Sequence, residues 1–253
     1  MKLGFIGLGN IASAVATGVA RDGHQIYVSQ RGAAHAAKLD DQFDAVTIAD
    51  NQTVLDNSDV VFLGTTVEAA PDVLKPLEFR PDQKVISFMV GISTKDIQSL
   101  IAPAKFEAIM IPYPSIAEGG SPLMAYPQSD TIDKLVGKTN TVVSLSTETA
   151  LSDFLAAQAI LSPIVKMLAT GADWLAARTG DYHGAEQFLR LLVGGSLMAK
   201  PMTELNVLPA LIAALNTPGG LNRQFREYME AEGAFASTER GLDALSKRLS
   251  GAA

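Results

Sequence analysis

The chain has 253 residues, 47% hydrophobic and 19% charged, a composition that fits one large or two modest globular domains. A net charge of -7 with no lysine or arginine run excludes the clustered positive charge that nucleic-acid backbones require. The absence of cysteine excludes disulfides, thiolate metal sites and cysteine nucleophiles, and His24, His35 and His183 are scattered without metal-ligand spacing.

The first residues read as a strand rather than a basic leader, so no signal peptide is expected. Through the first half, short β-rich runs alternate with helical patterns. Strand 2–7 precedes helix 10–21, strand 25–30 precedes helix 32–39, and strand 45–49 precedes helix 51–57. Strand 59–65 then precedes helix 68–76, strand 84–89 precedes helix 93–102, and extended segments follow near 106–111, 122–126 and 141–146. Alternation at this spacing predicts an α/β Rossmann-type fold, a doubly wound and mostly parallel sheet covered by helices on both faces. The strands are nearly all apolar, as in Asp59-Val60-Val61-Phe62-Leu63-Gly64 and Lys84-Val85-Ile86-Ser87-Phe88-Met89, which is what burial on both faces demands.

From about Thr149 the pattern becomes helical and rich in alanine and leucine. Helices are expected near 149–160, 163–178, 183–199, 203–215, 220–231 and 237–249, separated by Pro163, Thr179-Gly180-Asp181, Pro201, Thr217-Pro218-Gly219-Gly220 and Gly233. The expected organisation is an α/β domain over 1–148 and an all-α domain over 149–253. The helices carry broad apolar faces, such as Phe188, Leu189, Leu191, Leu192, Val193 and Leu197, which call for cover by a second subunit. Arg, Asp, Lys or Pro interrupts every apolar run, so no membrane span is expected and the protein is expected to be cytoplasmic.

The segment Gly7-x-Gly9-x-x-Ala12 follows a strand, opens a helix and begins a βαβ unit, the context that makes a glycine fingerprint informative. Gly7 allows the turn, Gly9 lets the backbone approach a pyrophosphate, and Ala12 lets helix and strand pack closely. Asn10 and Ile11 lie at the helix start, whose free amides suit the phosphates. The second strand ends in Tyr27-Val28-Ser29-Gln30-Arg31, without the acid that accepts the ribose hydroxyls of NAD. Ser29 and Gln30 as donors and Arg31 as a planar cation suit a 2′-phosphate, so NADPH is the expected cofactor, with NADH left open. Alternatively, Arg31 is a solvated residue at a helix start. Gly64-Thr65-Thr66 ends the fourth strand, where small polar residues either line the nicotinamide ribose or cap the next helix.

A second informative stretch is Thr217-Pro218-Gly219-Gly220-Leu221-Asn222. Its Pro-Gly-Gly turn would aim the amides near Gly220, Leu221 and Asn222 outward, a geometry suited to a carboxylate; an ordinary interhelix loop is the alternative.

With these segments on view, the chain resembles the pyrroline-5-carboxylate reductase family. The opening GFIGLGNIASAVATGV is similar to that family's first βα unit, VISFMVGIS over 85–93 to its strand and Ala-Gly-Ile segment, and TPGGLNRQFREYMEAEGAF over 217–235 to its Ser-Pro-Gly-Gly-Thr-Thr loop and following helix. The resemblance implies reduction of a cyclic imine acid to proline with NAD(P)H. It also implies an N-terminal Rossmann domain, a helical dimerisation domain, and a substrate held between the Gly219-Gly220 loop and the nicotinamide in a cleft completed by the partner subunit.

The sequence departs from the family at several points. Thr66-Val67 stands where the family has Lys-Pro, and Ile111-Pro112-Tyr113-Pro114-Ser115 replaces its Met-Pro-Asn-Thr-Pro. The family's proposed proton-donating threonine falls on Asn222, the threonine before it on Leu221, and its serine on Thr217. An amide is no acid near neutral pH, so either a water delivers the proton or the imine arrives protonated. Tyr113 stands at the active edge of the sheet, able to close the pocket or donate a hydrogen bond. Two other functions compete. A β-hydroxyacid dehydrogenase would need a lysine one turn before an asparagine, and Lys166 is followed by Thr170 and Lys200 by Glu204. A dimeric NADPH-binding sensor without turnover would account for the altered loop. Trp174, Asp173, Arg178 and Asp181 read as helix or interface residues.

Overall fold

The computed structural model describes residues 1–250, which form two compact units, the first ending at Ser152 and the second beginning at Asp153. The first is built in chain order from β1 (Lys2–Ile6), α1 (Asn10–Ala20), β2 (Gln25–Ser29), α2 (Ala33–Gln42), β3 (Val46–Ala49), α3 (Asn51–Asp56) and β4 (Val60–Leu63). It continues with α4 (Ala70–Leu74), β5 (Lys84–Ser87), α5 (Thr94–Ile101), β6 (Lys105–Ile111), β7 (Pro122–Tyr126), α6 (Asp130–Val136) and β8 (Thr141–Ser144). The strands make one eight-stranded sheet in the order β3-β2-β1-β4-β5-β6-β7-β8. All neighbours are parallel except β6 and β7, whose connection over 112–121 carries a 3-10 turn at Pro114–Ala117 rather than a crossover helix.

Apolar side chains from both faces of the central strands set the core. Leu3, Phe5, Ile26, Phe62 and Ile86 are almost wholly buried together with Val15 and Val19 of α1. Phe5 of β1 stacks on Phe62 of β4 with ring centroids 4.7 Å apart, and Phe62 on Phe88 at 5.6 Å, so aromatic packing ties the middle of the sheet together. Each such side chain contributes about 1.5–3 kcal/mol by leaving water. This rigid centre holds the carboxyl ends of β1 and β4 side by side. The chain reverses direction across the sheet between these two strands, leaving the crevice in which α/β folds of this type bind ligands.

The second unit contains α8 (Leu161–Thr179), α9 (Tyr182–Met198), α10 (Val207–Ala214), α11 (Leu221–Ala231) and α12 (Ala234–Leu249), preceded by α7 (Thr149–Ala157) and a single 3-10 turn. α8 packs on α9 and α11 on α12. Gly171 allows the first approach, because a Cβ there would come within 3.1 Å of Leu189. Gly180 ends α8 in the left-handed region (φ +75°), and the Asp181 carboxylate accepts the Gly184 N–H at 2.9 Å to start α9. Between Asp153 and Ser250 only Ala156, Ala172 and Ala185 are buried. Trp174, Phe188, Leu191 and Met198 are between 57% and 69% exposed, an apolar surface that a lone helical unit leaves wet.

Three expectations change. The helix anticipated over 203–215 starts only at Val207, because Asn206 takes a left-handed conformation (φ 58°) after a turn in which Glu204 N–H donates to Pro201. Helix α6 was not anticipated, since seven residues carry too little periodicity; its start is set by Ser129, whose hydroxyl accepts the Ile132 N–H at 3.2 Å. Contrary to the expectation that charge and proline break every candidate, the helical run Thr149–Thr179 is long and apolar enough to cross a membrane by length and composition. The run as a whole carries four charges, Asp153, Lys166, Asp173 and Arg178, and length and composition by themselves do not make it a span.

Candidate functional site

The glycine turn after β1 is held from three sides. Gly7 lies in the left-handed region (φ +85°), and its N–H donates to the hydroxyl of Ser29, at the end of β2, at 2.9 Å. A Cβ at Gly7 would come within 2.8 Å of the Gly64 backbone. Conversely, a Cβ at Gly64 would overlap the Gly7 carbonyl and sit 2.9 Å from the Ala12 side chain, which is itself only 2% exposed. The two loops leaving β1 and β4 thus touch backbone to backbone, a contact no side chain permits.

Gly32 makes a third such contact. It caps α2 at φ +94°, and a Cβ there would collide with the Leu8 carbonyl, while Leu8 N–H donates to the Arg31 carbonyl at 3.2 Å. The sequence reading missed Gly32, although a glycine directly before a helix was a visible signal.

Gly9 differs from these three. It is the exposed N-cap of α1 with φ -88°, and a Cβ there would meet nothing within 4 Å. No side chain caps α1 and no acid stands in its first turn, so the amides around Asn10 and Ile11 remain available beside open space. A group with two anionic phosphates fits this cradle.

At the end of β2, Gln30 and Arg31 are exposed, whereas Ser29 is fully buried and its hydroxyl is engaged with Gly7. Ser29 therefore shapes the glycine turn, while Gln30 and Arg31 are the exposed side chains at the end of this strand. On the neighbouring strand, Asp50 is occupied as the cap of α3, accepting Thr53 N–H at 3.0 Å and the Thr53 hydroxyl at 2.7 Å. Those hydrogen bonds hold its carboxyl below the usual range. Like β2, α2 offers no acid at its start.

Farther along the carboxyl edge, Thr65 is half-buried and its hydroxyl points to the Met89 sulfur at 3.5 Å, while the exposed Thr66 hydroxyl accepts the Ala69 N–H at 3.3 Å. The Thr66 hydroxyl thus steadies the turn leading into α4, whose N-cap residue Ala69 offers no side-chain cap of its own. Tyr113 follows β6, half-buried, and desolvation pushes its phenol above 10, so it stays protonated near neutral pH.

In the second unit, Gly219 is left-handed (φ +71°) and Gly220 is the N-cap of α11 without a side-chain cap. Gly220 N–H donates to the Thr217 carbonyl at 3.0 Å, and a Cβ at Gly220 would collide with the Thr217 hydroxyl oxygen. Gln224 donates from Nε2 to the Gly219 carbonyl at 3.1 Å, and Arg226 to the Asn216 amide oxygen at 3.1 Å. Leu221 and Asn222, the first residues of α11, are exposed and no acid accompanies them in the first turn. The loop is a rigid, uncapped helix start with Arg226 one turn below it. No group of histidine, aspartate and glutamate suited to a metal ion occurs among the described residues.

Residues 2–91 match the family model described as NADP oxidoreductase, coenzyme F420-dependent. Over nearly the full chain the fold is that of pyrroline-5-carboxylate reductases. The enzyme from Coxiella burnetii aligns with a TM-score of 0.81 at 21% identity, covering 98% of this chain and 97% of that one. The Plasmodium falciparum enzyme, solved with NADP bound, aligns with a TM-score of 0.77 at 14% identity, covering 98% and 96%. A reductive aminase from Aspergillus terreus in complex with NADPH and ethyl-5-oxohexanoate aligns with a TM-score of 0.58 at 19% identity, covering 99% and 93%. At these identities the likeness is one of fold.

Proposed function

We propose that the chain is an NADPH-dependent reductase of C=N bonds in cyclic imine acids, with pyrroline-5-carboxylate as the default substrate. The observation that carries this reading is the cradle at the β1–β4 crevice. Gly7, Gly64 and Ala12 are pressed together there, while Gly9 and the uncapped start of α1 border open space. An N-terminal match to an NADP oxidoreductase model and a full-length fold shared with pyrroline-5-carboxylate reductases support it. The share of the chain that follows those imine-acid enzymes favours C=N reduction over other NADP chemistries.

In this reading residues 1–148 bind the cofactor. The amides of Gly9, Asn10 and Ile11 hold the pyrophosphate, Gln30 and Arg31 take the 2′-phosphate, and Gly64, Thr65 and Thr66 lie along the nicotinamide ribose. NADH serves as the weaker donor. The bound reduced nicotinamide supplies the hydride that the imine carbon receives. The uncapped amides of Gly220, Leu221 and Asn222 hold the substrate carboxylate, and the Thr217 hydroxyl braces that turn. Asn222 orients the ring nitrogen or a water without itself giving up a proton. Tyr113, kept neutral by burial, donates a hydrogen bond at the edge of the sheet. Residues 149–253 form the dimerisation domain, whose exposed apolar helices are covered by a second copy.

The exposed Leu221 and the amide at Asn222 favour one second reading, an NADPH-binding sensor that does not turn over. The test is NADPH consumption with pyrroline-5-carboxylate, run beside NADH and an Asn222→Ala variant. Turnover above the uncatalysed rate with NADPH preferred supports the reductase. Tight NADPH binding with no reduction of any imine or keto acid supports the sensor.

A further inference from the structure

The loop that follows β5, Val90-Gly91-Ile92, is tied down at both ends. At its start, Met89 N–H donates to the Ser87 hydroxyl at 3.1 Å, and the Met89 sulfur receives the Thr65 hydroxyl. At its end the Ser93 hydroxyl accepts the Asp96 N–H at 3.1 Å, capping α5. A second restraint comes from a carboxylate 54 residues away. Glu148 accepts the Thr94 N–H at 2.9 Å through Oε1 and the Thr94 hydroxyl at 3.1 Å through Oε2, both partly buried. A carboxylate at a helix start also complements the dipole there.

Between these anchors the loop has little support of its own. Gly91 is left-handed (φ +84°) with nothing within 4 Å of a would-be Cβ, and Val90 is 40% exposed. An apolar side chain held out next to Met89, whose sulfur meets Thr65 at the carboxyl edge, is placed to meet a ligand rather than the core. Capping alone does not require Glu148, because Ser93 already serves α5.

We propose that Glu148 is a positioning residue, which fixes the Val90–Ile92 loop against the reacting end of the cofactor and its substrate through Thr94. The proposal rests on the reductase reading of the carboxyl edge. Releasing the anchor lets the glycine-centred loop swing, and a displacement of about 1 Å near reacting groups is enough to lower a rate 100-fold.

The experiment compares wild type, Glu148→Ala, Glu148→Gln and Thr94→Val by steady-state kinetics with NADPH and pyrroline-5-carboxylate. NADPH affinity and hydrogen exchange at residues 90–94 are measured alongside. Glu148→Ala is expected to lower kcat about 10- to 100-fold, to leave the NADPH dissociation constant within about 2-fold because the cradle at Gly7 and Gly9 is untouched, and to speed exchange in the loop. Glu148→Gln, which keeps an acceptor for the Thr94 N–H, should recover part of the rate, and Thr94→Val should fall between. Folded Glu148→Ala with unchanged kcat, or a fall in melting temperature with unchanged loop exchange, overturns the role of Glu148 alone. No turnover by the wild type overturns the reductase reading, and this role with it.

Discussion

The Ser29 hydroxyl, buried at the end of β2, accepts the N–H of Gly7 at 2.9 Å and so locks the glycine turn of one strand to its neighbour. Ser29→Ala should leave that amide buried without a partner, at a cost of about 1–3 kcal/mol. The expected result is a lower denaturant midpoint with an unchanged slope, together with weaker NADPH binding. Unchanged stability would mean the turn is set by Gly64 alone.

Gly64 and Gly9 should respond to alanine in opposite ways. At Gly64 the new methyl meets the Gly7 carbonyl and Ala12, both held by the core, so Gly64→Ala should destabilise the fold by at least about 1–3 kcal/mol. At Gly9 the methyl meets nothing in the protein, so Gly9→Ala should fold normally and lose NADPH affinity by 10-fold or more, because the methyl enters space reserved for a phosphate. Thermal melts and cofactor titration of the two variants separate a packing glycine from a binding glycine.

Arg31 is exposed and carries the only positive charge at the end of β2. Arg31→Ala should weaken NADPH by about 1.5–3 kcal/mol, the range for a hydrogen bond to a charged group, while leaving NADH nearly unchanged. The ratio of the two dissociation constants is the measurement, and it should fall roughly 10- to 100-fold. Equal losses for both cofactors would place Arg31 on the pyrophosphate instead.

Glu107 should make the first unit sensitive to acid. Burial acts to raise its pKa, but hydrogen bonds from the Thr131 and Ser129 hydroxyls and from Lys84 outweigh it, and the net shift is downward from 4.5. A lowered folded-state pKa stabilises the fold fully above 4.5 and loses that contribution as pH falls through the depressed value. Glu107→Gln should therefore be less stable than wild type at neutral pH, by about 1–3 kcal/mol, with the gap closing below pH 4. A gap that persists in acid would point to lost packing instead of lost charge.

How much of this was legible in the sequence depends on the range of the interaction that fixes each feature. Gly7, Gly9 and Ala12 were readable because a turn, a close approach and a tight helix contact are local demands written in adjacent residues. Asp181 and Gly180, which end one helix and begin the next, were readable as punctuation for the same reason. The bond between Ser29 and Gly7 was not, since the two lie 22 residues apart and only strand pairing brings them together. Glu148 was invisible for a stronger version of that reason, because its partner is 54 residues distant and across two strands. The reversal of β7 was also hidden, as an apolar strand reads alike in either direction. The late start of α10 escaped because a left-handed asparagine leaves no mark that composition can show.

The helical unit offers the last test. Leu191 and Leu192 on α9 are 68% and 52% exposed, Phe188 on the preceding turn 57%, and Leu161 and Val165 on α8 65% and 55%. Burying one such side chain contributes about 1.5–3 kcal/mol, so a handful covered together by a second copy would offset the cost of association. A charge on that surface opposes its burial. If a second copy covers this surface, Leu191→Asp should leave the protein monomeric at micromolar concentration in sedimentation or light scattering where the parent chain is dimeric, while NADPH affinity stays within about 2-fold because the glycine cradle is built from first-unit residues alone. Turnover should fall with the dimer if the partner completes the site. A variant that remains dimeric would point to other exposed apolar side chains, such as Leu208 and Ile212 of α10 or Leu221 and Phe225 of α11.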